Sequence, residues 1–186
     1  NRDYAHDAVY LGDAYKSGSN WLGKMFRLVT KSDPSPSNWA LSTLFNAGKP
    51  ITSSSSAAKD RKNNLWVFFG TGRYLDQSDK ATTDQQAFYG IKDKCQPWIQ
   101  DNYLCTTTMA NLLDVTGAVV NVGGSTVAGV SGVTNWATLL GTIDQKDGWV
   151  LRFSIPGERD YIKPLIIGGL VVWATYLPST DICSYE

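Results

Sequence analysis

The chain has 186 residues, 17 basic and 17 acidic side chains and no net charge. Its length fits one domain or one piece of a larger domain, and its 42% hydrophobic and 12% aromatic content excludes a disordered tail. The balanced charge lacks the basic stripe that neutralises phosphates, so no nucleic-acid partner is expected, and no apolar run, such as Leu170-Val171-Val172-Trp173-Ala174, approaches the roughly 20 residues of a bilayer span.

Composition points to an all-β chain. Only Glu158 and Glu186 of the 17 acids are glutamate. Aspartate favours turns and caps, where its short side chain accepts hydrogen bonds from nearby amides, whereas exposed helix faces favour glutamate. In chain order, Ala8-Val9-Tyr10-Leu11 reads as a strand ended by Gly12-Asp13, residues 16–20 as a turn, and residues 21–28 as a strand with imperfect alternation. Residues 32–38, with two prolines and three serines, form a loop, and residues 39–45 a strand. The polar stretch 53–64 reads as a solvated loop. Leu65-Trp66-Val67-Phe68-Phe69-Gly70-Thr71-Gly72 is the clearest buried strand and turn, followed by a strand at 86–92. Residues 111–122 alternate weakly, and 123–132 form a loop. A short helix is expected at 136–143, a strand at 149–154 and a hairpin over 164–177 turning at Gly168-Gly169. Strand–glycine punctuation recurs at Gly12, Gly70, Gly90 and Gly168, the cue for propeller blades. At ~40–45 residues per blade the chain supplies about four blades' worth of antiparallel strands. Closure takes about 4–8 blades, so the expected architecture is part of a modified β-propeller with loop insertions: residues 1–186 as one segment, incomplete at both ends. Asn1 in place of a start methionine agrees with a trimmed chain.

Three cysteines bear on compartment. Cys95 and Cys105 bracket a short loop containing Pro97, which a disulfide would close with a stabilisation of roughly 2–3 kcal/mol in an oxidising compartment; free thiols on adjacent strands are the alternative. Cys183 is left over and points to a bond outside the segment. Catalytic patterns are lacking: there is no GxSxG elbow, HExxH or P-loop, and the single histidine, His6, leaves no Ser-His-Asp triad. Asp144, Asp147 and Glu158 are the carboxylates available for paired acid chemistry. At the N-terminus, Asn1, Asp3 and Asp7 place side-chain oxygens at alternate positions with the Ala5 carbonyl between them, as a calcium loop does. Capping aspartates at a polar strand entry give the same pattern. Seven tryptophans could form a sugar-stacking platform, but Trp66, Trp149 and Trp173 lie inside apolar runs and read as core.

Several segments together resemble the C-terminal propeller domain of the PilY1 family of type IV pilus assembly and tip proteins. Ala8-Val9-Tyr10-Leu11-Gly12-Asp13 with residues 21–28 resembles its opening strand pair, and Asn64-Leu65-Trp66-Val67-Phe68-Phe69-Gly70-Thr71-Gly72-Arg73-Tyr74-Leu75 its most specific segment. Gln86-Ala87-Phe88-Tyr89-Gly90-Ile91-Lys92-Asp93, Asp147-Gly148-Trp149-Val150-Leu151, Pro156-Gly157-Glu158-Arg159 and residues 166–172 and 178–183 follow in family order. The resemblance implies a non-enzymatic, calcium-responsive pilus biogenesis factor and pilus-tip adhesin module, extracellular on the surface of a Gram-negative bacterium. It also implies a Ca2+ loop just before the first strand, of which Asn1, Asp3, Ala5 and Asp7 match the last four positions, while the first aspartate is missing. Implied partners are pilin or minor pilins, a host or surface receptor, and the remaining part of the propeller, in the same or another chain and possibly through Cys183. Two other readings are a lectin-like carbohydrate-binding propeller and a quinoprotein-like oxidoreductase propeller.

Overall fold

The structure, a computed structural model, describes residues 8–95, 104–121, 123 and 125–179. Strand β1 (Ala8–Gly12) is followed by a two-stranded ribbon, β2 (Tyr15–Ser17) and β3 (Asn20–Leu22), and then by β4 (Lys24–Val29) and β5 (Ala40–Asn46). The expected strand over 21–28 is therefore two strands broken at Gly23. There the backbone runs so close to Asp13 and Lys49 that a Cβ would lie 2.4 Å from the Asp13 carbonyl oxygen. Strands β1, β4 and β5 form an antiparallel sheet in the order β1-β4-β5.

The second sheet begins in the stretch expected as a solvated loop. Residues Ser56–Lys59 form β6, an edge strand paired antiparallel with β7 (Leu65–Gly70). Its small polar residues suit an edge and mask the strand signal. Asp60 closes the β6–β7 connection, accepting hydrogen bonds from Asn64 and from the Trp66 indole. Strand β8 (Ala87–Asp93) pairs antiparallel with β7. After a single turn of 3-10 helix come β9 (Leu112–Asp114) and a small ribbon, β10 (Val119–Val120) and β11 (Val127–Ala128); β11 interrupts the expected loop at 123–132. Helix α1 (Trp136–Asp144) starts at a capping box, in which Asn135 accepts from the Thr138 amide and Thr138 Oγ1 from the Asn135 amide. Strand β12 (Gly148–Arg152) then enters between β8 and β9, giving the order β6-β7-β8-β12-β9, with β9–β12 parallel. The hairpin β13 (Leu165–Ile167) and β14 (Leu170–Val172) turns at Gly168 and Gly169, both at positive φ as a tight hairpin turn requires.

The five-stranded sheet is buried on both faces, and this explains the unbroken apolar run of β7. Val67 and Phe69 of β7 face the three-stranded sheet and join Met25, Leu44, Phe45, Ile51, Tyr89, Ile91 and Val150 in the main core. Trp66 and Phe68 point the other way, packing with Phe88 and Phe153 against Trp149 and Trp173. Phe88 stacks on Trp173 at 4.3 Å between ring centroids. A third cluster, Val127, Val130, Val133 and Leu139, sits under α1. The architecture is all-β, with open rather than closed sheets, as part of a modified propeller. Among the described residues no helix is long and apolar enough to cross a membrane.

Candidate functional site

Asn1, Asp3, Ala5 and Asp7, proposed as calcium ligands, lie outside the described residues, as does Cys183. Among the described residues no group of three or more His, Cys, Asp or Glu side chains is placed to hold a metal. Asp144, Asp147 and Glu158 do not converge either. Asp144 pairs with Lys62, Asp147 with Lys94 and Asn111, and Glu158 accepts from Thr175. Burial pushes the Asp147 carboxyl up, but the hydrogen bonds from Lys94 and Asn111 outweigh it and hold the group below the usual carboxylate range.

Cys95 and Cys105 are joined by a disulfide with their Cα atoms 5.9 Å apart. The bridge adjoins a buried ionic network. Asp93 Oδ2 accepts from Arg27 Nε and from the Tyr10 hydroxyl, each at 2.7 Å, and Asp93 Oδ1 accepts from the Cys95 amide. Arg27 also donates to Ser42 Oγ and to the Cys105 carbonyl. Burial, with the Asp93 charge beside it, raises the Tyr10 pKa far above the usual phenol value. A second buried cation, Lys92, donates to the carbonyls of Ile143, Asp144 and Lys146 at 2.9–3.0 Å. It thereby places a positive charge on the carbonyls at and just beyond the C-terminal end of α1. These groups hold the scaffold together and are closed to a ligand.

The most specific family segments turn out to be partners. The turn at Gly70-Thr71-Gly72 docks on Arg159-Asp160: a Cβ on Gly70 would lie 2.2 Å from Asp160 Oδ2, and one on Gly72 2.5 Å from the Arg159 Cβ. The backbones are tied by the Asp160 amide donating to the Thr71 carbonyl at 3.0 Å. Arg159 then gathers the loop that follows. Its Nε donates to the Gly157 carbonyl, one terminal nitrogen to those of Arg73 and Asp79, and the other to that of Thr82, all at 2.8–2.9 Å. Asp160 is fully buried; its Oδ1 accepts from the Ile162 amide, while its Oδ2 has no hydrogen-bond partner. Burial pushes this carboxyl up to about 6.

Beside this clamp lies a polar cavity of about 210 Å³. The β2–β3 ribbon supplies Ser19, Asn20 and Trp21 to one wall, and Pro50, Arg73, Thr82, Asp84, Gln86 and Arg159 supply the others. The Arg73 guanidinium lies over the Trp21 ring, 4.3 Å from its centroid, and pairs with Asp79. Asp84 pairs with Lys49 at 3.1 Å. Gln86 is 5% exposed; its Nε2 reaches the Asp84 carbonyl only at 3.5 Å, and its Oε1 has no hydrogen-bond partner. Nothing in the sequence singled out this cavity. Its walls come from segments far apart in the chain, and the one available signal was the pair Gln85-Gln86, polar residues directly before the apolar β8.

No protein-family model matches the chain. In sequence it is similar to two proteins of Xylella fastidiosa (strain Temecula1 / ATCC 700964), each named a type IV pilus biogenesis factor PilY1 homolog. The first is 30% identical over 189 residues, covering 95% of this chain and 13% of that protein. The second is 24% identical over 181 residues, covering 95% and 11%. In structure it is similar to the crystal structure of the Pseudomonas aeruginosa PilY1 C-terminal domain, with a TM-score of 0.59 and 19% identity over 96% of this chain and 46% of that one. The chain thus spans a small fraction of the curated relatives and less than half of the solved domain.

Proposed function

From this PilY1-like sequence and fold, we propose that the chain is a segment of a type IV pilus biogenesis factor, acting as a calcium-responsive binding and scaffolding module at the pilus tip on the bacterial surface. The observation that carries the reading is the 30% identity to a named pilus biogenesis factor over 95% of the chain. A scaffolding rather than catalytic role is supported by the buried charges, since Arg27, Lys92 and Arg159 are all engaged by the protein itself. Exposed aliphatic faces supply surface for partners such as pilins, a receptor or further blades. Leu165, Ile167, Leu170 and Val172 cover the outer side of the β13–β14 hairpin, and Val9, Leu11 and Leu41 stand exposed on the three-stranded sheet.

Calcium at Asn1, Asp3, Asp7 and the Ala5 carbonyl would neutralise two mutually repelling carboxylates just ahead of β1 and order the entry to that strand. Strand β1 carries Tyr10, which hydrogen-bonds Asp93 in the other sheet, so ordering at the entry bears on the joint between sheets. The test is thermal melting of the purified full natural chain with and without calcium. Calcium is expected to raise the melting temperature of the wild type but not of Asp7→Ala. An equal rise in both would overturn the assignment of the site, and normal piliation of a deletion strain would overturn the pilus role.

A further inference from the structure

We propose that the cavity between the β2–β3 ribbon and the Arg159 clamp binds a neutral sugar, one hexose ring at a time. The proposal names a ligand class for the surface-binding role above and rests on that reading. Size comes first: about 210 Å³ is below the ~300–1,000 Å³ of sites for drug-sized ligands and fits a single ring.

The inventory of donors and acceptors then selects the chemistry. Arg159 is engaged by four backbone carbonyls, while Arg73, neutralised by Asp79 through one nitrogen and held over the Trp21 ring, keeps N–H donors for a ligand. Two acceptors stand beside those donors: the partnerless, buried Oε1 of Gln86 and the carboxylate of Asp84, which has a single ion pair. Turning the Gln86 amide over exchanges which end is unpaired but still leaves one, so the site calls for a ligand able both to donate and to accept. An anionic ligand meets the Asp84 carboxylate and finds the Arg73 charge already neutralised by Asp79. A cationic one meets two arginines. Neutral hydroxyl groups satisfy the acceptors without either conflict. Trp21, half-buried and covered on one ring face by Arg73, adds apolar surface to the wall for the C–H groups of a sugar, and Ser19, Asn20 and Thr82 offer further hydroxyl and amide groups.

The test is isothermal titration of the purified full natural chain with neutral hexoses and N-acetylhexosamines, together with a glycan array. Saturable binding of at least one neutral sugar is expected, weakened about tenfold or more by Gln86→Met. It should be abolished by Asn20→Arg, a change at the exposed rim that fills the mouth of the cavity and leaves the core untouched. Absence of binding to every neutral sugar, binding confined to acidic or amine ligands, or binding indifferent to both variants would each overturn the proposal. Piliation is scored separately in cells: a deletion strain that still assembles pili overturns the pilus reading alone, because sugar binding by the purified protein is measured without pili.

Discussion

At the scale of single residues, Asp160 makes the clearest demand on solvent conditions. Burial raises its carboxyl from the ordinary 3.8 to about 6. The folded state therefore favours the protonated form. Stability from this group is fully present below a pH of about 4 and is lost as the pH rises through about 6. Asp160→Asn keeps an acceptor for the Ile162 amide and removes the buried charge. Urea unfolding at pH 4.5 and at pH 7.5 should show a difference for the wild type that shrinks in the variant, which should be the more stable at the higher pH by on the order of 1–3 kcal/mol. Sequence patterning could not announce this residue. Asp160 is one aspartate among many, and its burial follows only from the docking of Gly70 against it. Trp21 was equally hidden: it sits in a segment that reads as strand, and its contact with Arg73 joins residues 52 positions apart. The motifs around Gly70, Gly90 and Arg159 were legible as a set, yet their mutual contacts were not, because spacing along a chain says nothing about which turn meets which.

At the scale of elements, β8 and β12 fit together through one missing side chain. Trp149 lies across Gly90, its partner in register, and a Cβ there would come 2.5 Å from the indole. Gly90→Ala should therefore cost about 1–3 kcal/mol through overpacking, measured as a lowered urea midpoint at unchanged slope, and Trp149→Leu on the Gly90→Ala background should recover part of the loss. The elements that sequence predicted well are the two-faced apolar β7, the glycine-turned β13–β14 hairpin and the short helix α1. Those it missed are short or polar. Strand β6 is an edge of Ser, Ala and Lys, and β10–β11 is a ribbon of two-residue strands held by local turns, so neither carries enough alternation to register as a strand.

At the scale of the whole molecule, the two main sheets meet across an apolar core with one ionic joint inside it. Arg27 from β4 and Tyr10 from β1 both reach Asp93 at the end of β8. Asp93→Ala removes the carboxylate shared by the buried Arg27 guanidinium and the Tyr10 hydroxyl and should destabilise the protein by about 3–5 kcal/mol in urea unfolding. Replacing both members, Arg27→Met with Asp93→Leu, should lose less than the single change, because both charges of the pair are then gone together. The Arg159 clamp has a further consequence, in the order of events as the chain folds. The loop it gathers, from Arg73 to Thr82, is made some 80 positions earlier, and until Arg159 arrives it is held by local bonds, the Asp76–Asp79 capping box and the Thr82 amide on the Asp79 carbonyl. A nascent chain must therefore carry this turn unfinished while the strands between are synthesised. Closing so long a loop carries an entropic cost and ties the clamp to the formation of the strands between. The segment that looks most like a fixed signature in the sequence is thus completed in space only by residues made much later in the chain.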